Sequence, residues 1–347
     1  MTTISSHGPA VSAGRSSDAF AGHPGYRRMF APDALTLGLF LPLRFFNGDM
    51  RVLENQGALV SEADRQGFAA IWVRDVPLFD PAFGDAGQLF DPFTYLAWLA
   101  AHTKHAALAT GSAIFSLRHP IDLAKAATSI DRLSGGRLIL GIASGDRASE
   151  FPAYGLDSDQ RAGRFAEAVP MFRRLVEETR PTIASPLGQM QGIDLLPKPV
   201  TGRIPLMVTG SSRQSMEWIG AQADGWLTYP EATHLPAGPH KLAARIRGWR
   251  DSIPDQGFRP HMTNEWLDLV EDPDFPRTPV QGGFVLRTGR NGLIDLLREW
   301  RDAGVNHAAL GIQFSARPAG EIIQELAEYI LPHFPSHAGP DPYPQHW

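Results

Sequence analysis

The stretch from Ile204 to Trp226, IPLMVTGSSRQSMEWIGAQADGW, contains a complete structural unit. LMVT is a short, continuous apolar run, the pattern of a strand buried on both faces as in a parallel sheet. After a Gly-Ser-Ser turn, Met216, Ile219, Gly220 and Ala223 recur at three- and four-residue spacing, which places them on one face of a helix. A new extended run then starts at Asp224. This is a strand, a crossover helix and the next strand.

The same alternation extends in both directions. Strands are expected at Leu35–Pro42, Phe68–Arg74, Ala106–Phe115, Arg137–Ala143, Ile204–Thr209, Asp224–Tyr229, His261–Val270 and Asn306–Gln313. Further helical stripes lie at Leu123, Ala127, Ile130 and Leu133, at Leu293, Ile294, Leu297 and Trp300, and at Ile322, Leu326, Tyr329 and Ile330. Gly67 and Gly304 stand where a helix stops before a strand. Eight such units predict an α/β fold, a single (β/α)8 TIM barrel, and 347 residues accommodate a barrel of about 250 with insertions and tails. The insertions are expected after strand 2 (Asp75–Pro92), after strand 4 (Ser144–Arg161) and between helix 4 and strand 5 (Arg180–Arg203). The first two follow strand C-termini, the end of a barrel where active sites form. The seventh unit is ambiguous, because Gly283–Arg287 is a second extended run. Residues 34–331 are read as barrel. Residues 1–33, rich in Ser, Ala and Gly, are read as a flexible arm, and the Pro-rich 332–347 as an irregular tail whose aromatics can pack on the barrel or a second subunit.

Composition narrows the function classes. A net charge of -5 without a Lys/Arg block argues against a nucleic-acid partner. No run approaches the ~20 apolar residues that span a bilayer, and the start lacks the pattern of a secretory signal, so a cytoplasmic protein without membrane contact is expected. The absence of Cys excludes disulfides, thiolate nucleophiles and thiolate-bound metals, and the 12 scattered His suggest no metal site.

Two constellations carry chemistry. Gly210, Ser211 and Ser212 follow a strand and enter a helix, where unsatisfied N–H groups and hydroxyls can cradle phosphate. A serine there also serves simply as a helix cap. The second runs from Ala109 to Gly155. Gly111, Ser112 and Ala113 end a strand with small side chains, which leaves room for a flat ligand or matches a tapering core. Ser144, Gly145 and Arg147 follow strand 4 directly and reach the same end, where a hydroxyl and a guanidinium suit a phosphate or substrate anion. Arg137, after Ser134-Gly135-Gly136, is given a structural role.

The order LGLFLP, GFAAIWVRD, TGSAIF with RHP, DRLSGGRLILGIASG, then EF and G, then the Gly-Ser-Ser turn resembles the bacterial luciferase-like flavin monooxygenase family, closely over about Leu35–Tyr229. The resemblance implies a barrel binding reduced FMN, or in a sister branch a deazaflavin, at the strand C-termini. It implies a non-prolyl cis peptide at Gly111–Ser112 or Ser112–Ala113 behind the flavin ring, Ser144 near the ribityl phosphate, and Ser211, Ser212 and Ser215 on the phosphate. One departure stands out: where light-emitting members carry a histidine pair, this chain has Arg74-Asp75-Val76. Asp75 either replaces the imidazole or pairs with Arg74.

The implied activity is flavin-dependent oxidation of a small organic substrate with oxygen, in a pocket that excludes water. Phe40, Trp72, Phe79, Phe115 and Tyr229 are candidates for its wall, and Asp75, Glu150 and His119 for proton transfer. A deazaflavin-dependent hydride-transfer enzyme and a non-catalytic flavin-binding protein are the alternatives. A phosphosugar barrel enzyme would need a strand-end Lys or carboxylate pair, which is not evident. No Gly-x-Gly-x-x-Gly follows a strand, so reduced flavin is expected from a separate reductase. A homodimer is expected by analogy.

Overall fold

The structure is a computed structural model, described here for residues 17–45, 54–80 and 90–338. In chain order it contains α1 (Pro24–Met29), β1 (Thr36–Phe40), α2 (Gln56–Gln66), β2 (Ala70–Val73), α3 (Pro92–His102), β3 (Ala107–Ile114), α4 (Pro120–Leu133), β4 (Leu138–Ala143), α5 (Glu150–Ala153) and α6 (Arg161–Glu177). The hairpin β5 (Ile183–Ser185) and β6 (Gly188–Met190) follows, then β7 (Leu206–Thr209), α7 (Met216–Gln222), β8 (Gly225–Leu227), α8 (Ala237–Asp251) and β9 (His261–Leu269). The chain continues through β10 (Thr278–Val280), β11 (Val285–Thr288), α9 (Arg290–Asp302), β12 (His307–Gly311) and α10 (Ala319–Glu325).

Strands β1, β2, β3, β4, β7, β8, β9 and β12 pair in parallel around a closed ring, with β9 joining both β8 and β12. Each falls within one of the eight expected segments. Both faces of the strands are buried, which explains their apolar continuity. Phe40, Trp72, Ile139, Met207, Met262 and Trp266 fill the interior. Leu39, Val73, Leu108, Leu140 and Ile142 face outward to meet Leu123, Ala127, Val169 and Phe172 of the helices. Leu133 and Tyr329, expected in the stripes, are exposed instead.

The ambiguity at the seventh unit resolves as both segments. β9 is the barrel strand, and β11 lies parallel to its C-terminal end, pairing at Leu267, Asp268 and Leu269. The 144–161 insertion carries α5 and a 3-10 turn. The 180–203 insertion carries the β5–β6 hairpin and lies along the flank of the barrel, where Lys198 Nζ donates to Leu175 O of α6 at 2.9 Å. Of the 75–92 insertion, 81–89 lie outside the described residues.

The expectation of a loose arm through residue 33 is corrected from Ser17 onward. Phe20, Tyr26, Met29 and Phe30 join the interior cluster and close the N-terminal end of the barrel. His23 caps α1, its Nδ1 accepting the Tyr26 N–H at 3.1 Å. Gly25 lies so close to Arg137 that a Cβ there would stand 2.6 Å from the Arg137 carbonyl oxygen. The start of the expected C-terminal tail is also packed: Phe334 is buried, and the His337 N–H donates to Arg28 O at 3.0 Å. Residues 1–16 and 339–347 lie outside the described part.

Arg137 is structural, as expected from its place after the Gly-Gly turn. It is buried and donates to the carbonyls of Ser134, Ala106, Thr103 and Ala100 and to Thr103 Oγ1. Burial lowers its pKa to about 10, which leaves it charged at neutral pH.

Candidate active site

The C-terminal ends of the strands open into two adjoining cavities of about 370 and 330 Å³. The larger is lined by Phe40, Leu227, Tyr229, Trp266 and Phe284, with Thr228 and Asn264 as polar groups. Its floor is aromatic: the Trp266 ring lies 5.6 Å from Phe40 and 5.9 Å from Phe284. Two glycines make that floor possible. A Cβ at Gly311 would fall 2.1 Å from the Trp266 ring, and one at Gly111 would fall 2.6 Å from Phe40. The small residue at 111 therefore admits a side chain of the barrel itself.

The smaller cavity is lined by Arg74, Arg147, Arg161 and Arg213, against two carboxylates, Asp75 and Asp146. Ser112, Ser144, Gly145, Gly210, Ser211 and Ser212 complete its wall. The cavities share Arg74, Gly111, Asp146, Thr209 and Tyr229, so one ligand can extend through both. Arg161, the first residue of α6, is buried, and its guanidinium lies over the Phe151 ring and donates to Ser158 O. Its Nε is buried without a hydrogen-bond partner. Such an orphan donor in a cationic wall fits an anionic ligand.

Several expected roles change. Gly210–Arg213 do not start a helix. They form a turn with left-handed backbone at Gly210 (φ 56°), Ser212 (φ 43°) and Arg213 (φ 60°), and the seven-residue α7 begins only at Met216. Ser212 Oγ donates to Thr209 O at 2.7 Å, and Ser211 Oγ accepts the Arg213 N–H at 3.2 Å. Ser215 is the cap of α7, accepting the Trp218 N–H at 3.2 Å, and lines neither cavity. Ala113 packs into the outer core. The Gly111–Ser112 peptide is cis, and Ser112 Oγ is hydrogen-bonded to Thr209 Oγ1.

Asp75 does not pair with Arg74. Its two oxygens receive Arg118 Nη2 at 2.8 Å, Arg118 Nε at 3.1 Å and the Ile114 N–H at 2.9 Å. A buried carboxylate held by three donors braces the end of β3. His119 is exposed and caps α4: its Nδ1 accepts the Ile121 N–H at 3.2 Å, and its Nε2 donates to Leu187 O at 2.8 Å. Both ring nitrogens are used outside the cavities. Glu150 is buried behind the cationic wall and lines neither cavity. Burial raises its pKa, opposed by Arg147. Of the aromatic candidates, Phe40 and Tyr229 line the site. Trp72 sits below it, its Nε1 donating to His307 Nε2 at 2.9 Å, while Phe115 packs on Phe172 and Phe79 is exposed.

The sequence reading missed Arg161, Arg213, Asn264, Trp266 and Phe284. Gly311, whose missing side chain makes room for the Trp266 ring, follows Ala308 and Ala309 in a strand of small residues and so does not stand out in the sequence.

A sequence profile described as luciferase-like monooxygenase matches residues 35–254. The chain belongs to this family. Among luciferase-like relatives, the oxygenase component of the flavin-dependent trigonelline monooxygenase of Acinetobacter baylyi is 35% identical over 115 residues, 33% of this chain and 31% of that protein. The F420-dependent glucose-6-phosphate dehydrogenase of Kineococcus radiotolerans is 27% identical over 170 residues, 48% of this chain and 49% of that one. The chain thus spans less than two thirds of these curated relatives. The crystal structure of the monooxygenase RslO1 from Streptomyces bottropensis superposes with a TM-score of 0.73 at 21% identity, covering 86% of this chain and 99% of that one, and supports the barrel fold. Luciferase-like members are oxidoreductases that use flavin or F420. No helix among the described residues is long and apolar enough to cross a membrane.

Proposed function

We propose that this protein is a monooxygenase that binds reduced FMN as a co-substrate, supplied by a separate reductase, and oxidises a small organic molecule. The observation that carries this reading is the junction of a guanidinium-lined cavity with an aromatic one through Gly111, Thr209 and Tyr229. An elongated ligand with its anionic end in the first chamber and a flat ring at the junction suits this pair, and leaves the Trp266 and Phe284 end of the aromatic chamber to a substrate. Arg147, Arg161, Arg213, Ser211 and Ser212 would hold the phosphate, with Ser144 and Gly145 beside the ribityl chain and Gly111–Ser112 behind the ring. Reduced FMN, when bound, supplies the electrons that activate oxygen. The protein's own part is to orient ring and substrate and to keep water out, tasks served by Phe40, Leu227, Trp266 and Phe284. Thr228 and Asn264 offer hydrogen bonds inside that apolar wall.

A deazaflavin-dependent hydride transfer is the second reading, favoured by the longer stretch of this chain that aligns with the F420-dependent relative. Calorimetric titration with FMN, riboflavin and F420, followed by oxygen uptake with reduced FMN and a panel of small organic acids and aldehydes, tests both. Substrate-dependent oxygen consumption is expected. Affinity for F420 alone overturns the first reading in favour of the second, and affinity for neither cofactor overturns both.

A further inference from the structure

Arg74, at the C-terminal end of β2, lines both cavities and lies over the ring of Trp266, its Cζ 5.6 Å from the centroid. The indole and its aromatic neighbours make that part of the larger cavity poor in water, which strengthens the field of a guanidinium. Among the described residues, Asp146, exposed at the rim, also lines this cavity. Trp266 and Phe284 lie beyond residue 254, outside the segment matched to the family. They complete a chamber whose other walls come from the matched segment, Phe40, Leu227 and Tyr229 among them. A planar aromatic side and a half-buried guanidinium form a combined site for a flat organic acid: the ring lies against Trp266 and Phe284, and the carboxylate meets the planar fork of Arg74.

We propose that the substrate is a planar aromatic carboxylate, recognised by Arg74 above the Trp266 floor. This rests on reading the adjoining cationic cavity as the cofactor site, and the two are separable. The probes are benzoate and 2-naphthoate with their matched amides, titrated by tryptophan fluorescence and calorimetry at neutral pH, with and without FMN. The acids are expected to bind at least about tenfold tighter than the amides, the size of one charge-assisted contact. Arg74→Gln should abolish that preference by weakening the acids and leaving the amides nearly unchanged. Arg74→Lys, which keeps the charge but not the fork, should retain part of it and serves if the Gln variant does not fold. Trp266→Phe, a smaller ring, should weaken acids and amides alike.

Equal binding of acids and amides, absence of binding by any probe, or a preference that survives Arg74→Gln overturns the inference. FMN titration of the same proteins keeps the readings apart. Wild-type protein without FMN affinity defeats the cofactor reading and leaves the acid test valid on the cofactor-free protein. Loss of FMN affinity in Arg74→Gln with acid preference unchanged assigns Arg74 to the cofactor and overturns the inference.

Discussion

Replacing Arg161 by Met keeps an aliphatic stem and removes the guanidinium, which lies over the Phe151 ring and whose Nε is buried without a partner. Two effects of different size follow. A hydrogen bond to a charged group is worth ~1.5–3 kcal/mol, so FMN affinity should fall by about 10- to 100-fold. Riboflavin carries the same ring and ribityl chain without the phosphate, and its affinity should hardly change. In the free protein the substitution loses the bond to Ser158 O and the contact with Phe151, but it also removes a buried unsatisfied donor. These offset one another, and the folding stability should stay within about 1 kcal/mol of the parent. Paired titrations with FMN and riboflavin, with a thermal melt of the free protein, measure all three quantities. Equal losses for both ligands would mean that Arg161 supports the site only by packing. An unchanged FMN affinity would refute the placement of the phosphate in this cavity.

Arg137→Met should leave the carbonyls of Ala100, Thr103, Ala106 and Ser134 without a donor in a buried site, costing ~3–5 kcal/mol and lowering the Tm by several degrees; a melt within a degree of the parent would contradict this. Glu265 is buried on β9, and burial pushes its pKa from 4.5 up to about 8, against the hydrogen bonds from Thr233 and from the Trp266 N–H at 3.0 Å. A carboxyl raised in the folded state contributes stability that is fully present below about pH 4.5 and lost as the pH rises through about 8. Glu265→Gln, which cannot ionise, should therefore gain on the parent by a few kcal/mol between pH 5 and about pH 8.5. A stability difference independent of pH in denaturant titrations would rule this out.

The strands were legible because burial on both faces imposes uninterrupted apolar runs, as in LMVT and LILGIA. The helices were legible because only one face of each is covered. Assigning the site was harder. Gly-Ser-Ser after a strand looks like a helix start whichever serine caps it, and here Ser215 caps α7 while Ser212 takes a left-handed turn conformation. His119 before Pro120 is at the right end of the barrel for catalysis, yet its ring is spent on capping α4. Arg161, Trp266 and Phe284 converge from α6, β9 and the segment before β11. Nothing in their local sequence marks that meeting, which depends on closure of the ring of strands.

The packed segment at the base also bears on how this protein can be cut. The stretch that resembles its family, 35–254, omits the residues that stopper the cylinder from below. It also omits β9 and β12, the two staves that bring the sheet edge back to β1. A fragment trimmed to those limits would hold the cationic chamber on an open, leaking trough with bare strand edges, a shape prone to self-association. The packed residues run from the stopper through Phe334, buried after the last helix, to His337, whose N–H holds the Arg28 carbonyl.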